Sequence, residues 1–175
     1  MTSAERPWSV RVALHEVPET GRRINMSADE GARASIAKIA GLSALPRFEA
    51  QFDLSRYGRD SLRVVGRVSA TVGQDCVVTL EPVESEFNEE VDLLFTPGAG
   101  ASGQSEADEI EVPPDDGPEP LVGGVVDLGV LATDFLLLGI DPYPRKLGAL
   151  FEAPQVGDDS GHPFEALAAL KKGRS

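Results

Sequence analysis

Two stretches in the first half of the chain alternate apolar and polar residues with a period of two. They cover 45–56 and 61–73, and a turn at 57–60 containing glycine and aspartate separates them. This period is typical of strands that have one buried and one solvated face. We therefore predict that the two stretches form a long antiparallel hairpin.

Three further stretches have the composition of strands. Residues 8–12 alternate like an edge or half-buried strand, 76–80 follow the hairpin after a short polar turn, and 87–95 repeat the period of two. The connections between these stretches are too short for parallel crossovers. The pattern predicts an antiparallel sheet that is curled into a barrel-like form.

Two segments have the pattern of helices packed on this sheet. Ser27 with Glu30 forms a capping box for a helix that Gly41 ends. After a short strand at 125–127, Asp127 is the predicted N-cap of a helix over 128–139. This second helix is apolar on several sides, so we expect most of it to be buried against the sheet.

The remaining segments are rich in glycine, proline and acidic residues. Residues 97–123 are predicted to form a long, flexible, acidic loop, and 152–161 a linker before a short C-terminal helix. We expect a single α+β domain over 1–151, followed by the linker and C-terminal helix over 152–175. The apolar face of that helix would be Phe164, Leu167 and Leu170. This face could either dock on a partner or pack on its own domain, and the sequence favours neither.

Charge is distributed unevenly along the chain. The net charge is −13, and 17 acidic residues with no lysine or arginine lie between Arg67 and Arg145. Such a surface repels phosphate backbones and attracts basic partners, although acidic runs are often simply solvated. The candidate partner-binding acids are Glu84, Glu86, Glu89, Glu90, Asp108, Glu109, Glu111, Asp115 and Asp116.

The order of segments is similar to that of a known family. The segment Gly73-Gln74-Asp75-Cys76-Val77-Val78-Thr79-Leu80-Glu81-Pro82 precedes an acidic loop, then Val126-Asp127-Leu128-Gly129 enters an apolar helix, and the chain closes with His162-Pro163-Phe164 and Ala166-Leu167-Ala168-Ala169-Leu170-Lys171. This succession resembles the YceD family of large-subunit ribosomal RNA accumulation proteins.

The resemblance implies a role in accumulation of large-subunit ribosomal RNA. The bacterial genes of this family often neighbour a gene for a large-subunit ribosomal protein, and no catalytic activity is attributed to it. Many relatives carry Cys-x-x-Cys where this chain has Cys76 and Thr79. The second cysteine that a metal or redox role of that pair would need is therefore absent at this position.

The residues themselves favour binding over catalysis. Cys76, His15 and His162 are too few for structural zinc, so we expect no metal and no cofactor. Asp75 beside Cys76 would raise the pKa of the thiol, so a buried structural cysteine is expected. We therefore predict no catalytic residue and no enzyme.

The expected function is that of a ribosome biogenesis factor that binds a basic ribosomal protein or a large-subunit precursor. An alternative is an RNA-binding module, in which Arg47, Arg63 and Arg67 make a local contact with ribosomal RNA; ion pairs with interleaved acids would oppose it. No apolar run approaches the roughly 18 to 20 residues of a membrane span, and the start lacks a secretory signal. We therefore expect a cytoplasmic protein without membrane contact.

Overall fold

Two sheets and two α-helices make up the part of the chain that the computed structural model describes, residues 7–98 and 117–151. Short 3-10 turns at Leu14–Glu16 and Val122–Gly124 join some of them. The strands are β1 Arg11–Ala13, β2 Arg22–Ser27, β3 Ala44–Tyr57, β4 Ser61–Asp75, β5 Pro82–Thr96, β6 Glu119–Pro120 and β7 Val125–Asp127, and the helices are α1 Glu30–Ala40 and α2 Leu128–Gly139.

The larger sheet has five strands in the order β2-β3-β4-β5-β6, and β1 pairs with β7 in a separate two-stranded sheet. All strand pairs are antiparallel except β5 with β6, which is parallel. The α+β class and the β3–β4 hairpin are confirmed. The barrel-like form is wrong, because β2 and β6 are opposite ends of an open sheet. Closure is not needed to bury the apolar face, since the helices cover it.

Residues 76–80 form a turn between β4 and β5, so the strand predicted there is wrong. The amide of Leu80 donates to the carbonyl of Cys76, and the amide of Cys76 donates to the carbonyl of Glu81. Leu80 has a φ of 60°, in the left-handed region that no strand residue adopts. The strand predicted to begin at 87 begins at Pro82 instead.

The first helix has a different cap from the predicted one. Its N-cap is Asp29, whose side-chain oxygen accepts a hydrogen bond of 2.7 Å from the amide of Ala32. Ser27 is the last residue of β2, a strand that the apolar pattern did not predict. The predicted stop at Gly41 is confirmed, since Gly41 takes the left-handed conformation at the end of α1.

One face of β3, β4 and β5 forms a core with the two helices. α1 packs on β3, and α2 packs on β4 and β5. The rings of Trp8 and Phe48 meet edge to face, with centroids 4.8 Å apart. On β4 the core side includes Gly66, where an added Cβ would overlap the carbonyl oxygen of Gln51 and lie 2.7 Å from a ring carbon of Phe52. The backbone of β3 and the aromatic ring therefore leave no space for a side chain there.

The helix α2 has the predicted bounds but is less buried than expected. Its buried stripe is Leu128, Ala132 and Leu136, which recur at every fourth residue. Leu138 is 85% exposed, so burial on most sides is wrong. Neither α1 nor α2, the two α-helices of the described residues, has the length and apolar character needed to cross a membrane.

The predicted loop over 97–123 lies mostly outside the described residues. Its described end contains β6, which pairs with Phe95 and Thr96 of β5, and the turn Val122–Gly124. The predicted strand Val125–Asp127 is confirmed as β7, the partner of β1.

Asp127 ties the small sheet to α2, as its predicted role as N-cap requires. Its carboxylate accepts hydrogen bonds from the hydroxyl of Ser9 and from the amides of Val10, Gly129 and Val130, at 2.5 to 3.3 Å. Burial raises the pKa of Asp127, but these donors outweigh it, and the pKa is lowered on balance. The charged form is therefore the one that the fold stabilises.

Replacing Asp127 with alanine is expected to lower the free energy of unfolding by about 0.5–2 kcal/mol, because the amides of α2 lose their acceptor. Asp127→Asn keeps one acceptor and loses the charge, so it should cost less. Because the folded pKa lies below the unfolded value, the advantage of aspartate over asparagine is complete above about pH 4 and disappears as pH falls through the folded pKa. Urea titrations across this pH range measure both effects; equal midpoints for all three proteins would contradict the capping role.

Candidate functional site: an acidic edge strand

The face of the five-stranded sheet that points away from the core is polar and exposed; we call it the outer face. Over 48–54 of β3 and along β4 the buried side chains are even-numbered, so odd-numbered residues there point outward. On β5 the buried residues are Phe87, Val91 and Phe95, so even-numbered residues point outward. The register fixes which charges meet across the strands.

The outer face of β5 is strongly acidic. It carries Glu84, Glu86, Glu90 and Asp92 at alternate positions. Glu89 points to the other face, opposite Val68, and is nevertheless exposed. With these five acids and no lysine or arginine, β5 is the most acidic strand of the described residues.

The arginines on the outer face contact these acids. Arg63 makes two hydrogen bonds to Asp92, at 2.7 and 2.9 Å, and Arg67 lies 3.0 Å from Glu90. The guanidinium of Arg47 lies 2.6 Å from a carboxylate oxygen of Glu86 on β5 and 3.4 Å from one of Glu49 on β3. The predicted arginine residues do share one face, but each is paired with an acid there.

Two of these carboxylates, Glu86 and Asp92, are stabilised in the charged form by their contacts. The hydroxyl of Thr71 and the guanidinium of Arg47 lower the pKa of Glu86, and the guanidinium of Arg63 lowers the pKa of Asp92. Exposed pairs of this kind contribute little to stability, because water screens them. Their main effect is to order the charges along the strand.

The far edge of β5 is open over most of its length in the described residues. Only Phe95 and Thr96 pair with β6, whereas residues 82–94 have β4 as their single strand neighbour. The acidic side chains thus stand along a strand whose edge away from β4 has no strand neighbour over 82–94 among the described residues.

The structure brings together some of the predicted site residues and leaves others undescribed. Glu84, Glu86, Glu89 and Glu90 lie on β5, and Arg47, Arg63 and Arg67 lie across from three of its acids. Asp92 was not among the predicted acids, although the even-numbered pattern of β5 identifies it. Outside the described residues lie Asp108, Glu109, Glu111, Asp115, Asp116, Phe164, Leu167 and Leu170.

Cys76 is buried, as predicted, but its acidity is the opposite of the expected one. Its sulfur accepts hydrogen bonds from the amide of Lys146 at 3.3 Å and from the amide of Thr79 at 3.5 Å. The amide of Lys146 most strongly, followed by the side chain and then the amide of Thr79, lowers the pKa of Cys76 to about 6. The prediction of a raised pKa from Asp75 is wrong, because the hydrogen-bond donors that the fold places around the sulfur act more strongly than the neighbour in sequence.

The turn around Cys76 is held to the segment that follows α2. The amide of Val77 donates to the carbonyl of Pro144, and the ammonium of Lys146 lies 2.9 Å from Glu81. Within 7–98 and 117–151, no three His, Cys, Asp or Glu side chains are grouped so that they could hold a metal ion.

A protein-family comparison covers both the acidic strand and this turn. The model described as "Large ribosomal RNA subunit accumulation protein YceD" matches residues 64–171. The chain belongs to the YceD family. The family description connects the chain with accumulation of large-subunit ribosomal RNA, and hence with ribosome biogenesis. Comparison with curated proteins and with solved structures gave no match.

The YceD match also separates the two groups of predicted site residues. It includes every acid of β5 and the turn at Cys76, whereas Arg47 and Arg63 precede its first residue. The part of the sheet that the family model covers therefore includes the acidic strand but not most of the arginine group.

Titration of Cys76 tests the turn. We expect the ultraviolet absorbance of its thiolate to appear near pH 6 in the native protein, and near the ordinary value of about 8.5 after unfolding. Because the folded pKa is the lower one, the thiolate's contribution to stability is complete above the unfolded pKa and is lost as pH falls through about 6.

Cys76→Ser is the matched control, since serine accepts the same amides and does not ionise. The difference in unfolding free energy between wild type and this variant should increase from pH 6 upward. A difference that stays constant across that range would contradict the assignment.

Proposed function

We propose that this protein supports accumulation of large-subunit ribosomal RNA as a non-enzymatic, cytoplasmic binding factor. Its acidic strand β5 holds a basic ribosomal protein, free or on a large-subunit precursor. The observation that carries this proposal is the set of five exposed acids on β5, four of them in a row on the outer face, with no basic residue on the strand.

The charge pattern favours a basic protein partner. Acids on a common strand create a local negative potential that attracts lysine and arginine and speeds their encounter. Such attraction weakens as salt rises, because exposed charges are screened beyond about 8 Å at physiological ionic strength. A bound ribosomal protein would be released when the more highly charged RNA competes for it.

The ion pairs of the outer face support this partner over RNA. The guanidinium groups of Arg47, Arg63 and Arg67 each lie within 3.0 Å of a carboxylate of β5. A phosphate would have to displace these carboxylates and approach the remaining acids beside them. Binding of polyanions at this face is therefore opposed by charge.

The environment of Cys76 and His15, the two candidate reactive groups within the described residues, supports a role without turnover. Cys76 is buried inside a turn, and His15 lies exposed on a 3-10 turn outside the core. Nucleophilic catalysis requires a base in hydrogen-bond reach of an accessible nucleophile. A buried sulfur whose donors are backbone amides fits a structural role.

Titration of purified large-subunit ribosomal proteins at low and moderate salt tests the proposal. We expect at least one to bind at low salt and to bind more weakly at moderate salt. The double variant Glu84→Gln/Glu89→Gln removes two β5 charges that make no ion pair described above. Its affinity at low salt should fall several-fold, by the order of two exposed charge contacts.

The matched control is Glu19→Gln/Asp60→Asn, which removes the same charge from exposed positions away from the acidic residues of β5. It should leave the affinity near that of wild type. Absence of binding at low salt would refute the proposal, and an equal loss in the control would show that net charge alone acts, without a site on β5.

A further inference from the structure

The hydrogen bond between β5 and β6 reveals which peptide groups of β5 face the open edge. The amide of Leu121 donates to the carbonyl of Thr96 at 3.1 Å, from the β6 side. In a strand the peptide groups of successive residues point alternately to the two sides, and the β4–β5 register has no shift from Pro82 to Phe95. The peptide groups of even-numbered residues therefore point to the open edge, and those of odd-numbered residues to β4.

We propose that β5 accepts an extended basic segment of its partner as an additional strand of the sheet. The pairing would use the edge-facing peptide groups of Glu84, Glu86, Asn88, Glu90 and Asp92. This inference rests on the proposed function, because it specifies how a basic ribosomal protein is held. Addition of a strand to an open edge supplies affinity through main-chain hydrogen bonds and specificity through alternate side chains.

The side chains of β5 define the sequence of the added strand. Residues whose peptide groups face the edge also carry the acids of the outer face, so directly opposite side chains lie about 4.5–5.5 Å away on that face. Lysine or arginine at alternate positions would meet Glu86 and Glu90. On the other face the neighbours include Phe87, Val91 and Leu93, which favour small or apolar residues. The fitting segment therefore alternates basic and apolar residues.

Charge distinguishes this occupant from two others. A second copy of the chain would bring five acids of β5 against five identical ones. The segment 99–116 of the same chain contains six acids and no lysine or arginine. Like charges placed opposite each other in a sheet are unfavourable, whereas opposite charges are favourable. The opposite edge strand, β2, begins with Arg22 and Arg23 and lacks this complementarity.

A proline on β5 tests the main-chain contact without changing charge. Asn88 is exposed, uncharged and placed where its amide faces the edge, so Asn88→Pro removes an edge donor and leaves the β4 ladder intact. Asn88→Thr is the matched control, which loses the same side chain and keeps the amide. The probe is a synthetic peptide of about ten residues that alternates lysine and valine, long enough to span the open edge.

We expect Asn88→Thr to bind the peptide like wild type, and Asn88→Pro to bind about tenfold more weakly, the size of roughly one main-chain hydrogen bond with some distortion beside it. Equal affinity of the two folded variants would refute strand addition. Binding of ribosomal proteins that persists unchanged in Asn88→Pro would leave the proposed function standing and remove only this mode of contact.

Hydrogen exchange of the wild-type protein provides a second measurement that does not depend on the proline variant folding. The amides of Glu86, Asn88 and Glu90 should exchange rapidly in the free protein and slow on addition of the peptide, while those of Phe87 and Glu89 are slow throughout because they pair with β4. Slow exchange of the even-numbered amides before addition would show that the edge is already covered. A uniform or absent change on addition would equally overturn the inference.

Discussion

Burial of one face of β3, β4 and β5 against the two helices is the constraint on which the rest of the structure depends. Because side chains alternate across a strand, placing Phe48, Phe52 and Val64 in the core forces their sequence neighbours to the outer face. A shift of the strand register by one residue would move every core side chain to the outer face and every outer side chain to the core. The positions of the arginines and acids on the outer face are therefore consequences of how the core is packed.

The parts of the fold that local pattern determines could be predicted from the sequence. The β3–β4 hairpin follows from a period of two on both sides of a turn, and α2 follows from its cap at Asp127 and its apolar stripe. The turn at Cys76 could not be predicted, because groups about 70 residues away complete it. The carbonyl of Pro144 accepts a hydrogen bond from the amide of Val77, and the amide of Lys146 donates one to the sulfur of Cys76. An apolar segment that would suit a strand therefore forms a turn. The acidity of the thiol was misjudged for the same reason.

The candidate site was predictable in its residues more than in its arrangement. Alternation along β5 is enough to assign Glu84, Glu86 and Glu90 to one face, and it would have added Asp92. Alternation cannot show that β5 borders the sheet, because that depends on β6 pairing with only two of its residues. Nor could it establish that Arg63 and Arg67 pair with acids of β5, since that requires the register between β4 and β5. Sequence identifies the charges, and topology determines their partners.

An open edge with exposed peptide groups is a hazard for a soluble sheet, because identical edges can pair and aggregate. On β5 the acids oppose that outcome, since a second β5 would bring its own acids into contact with them. The same acids attract a chain of opposite charge, so the electrostatic free energy of its approach is favourable. The arginines of β3 and β4 strengthen this selectivity. They hold carboxylates of β5 in place from the side of β4 and leave the open edge of β5 unoccupied. In the proposed function, one arrangement of charge thus both opposes the pairing of identical edges and favours a basic partner.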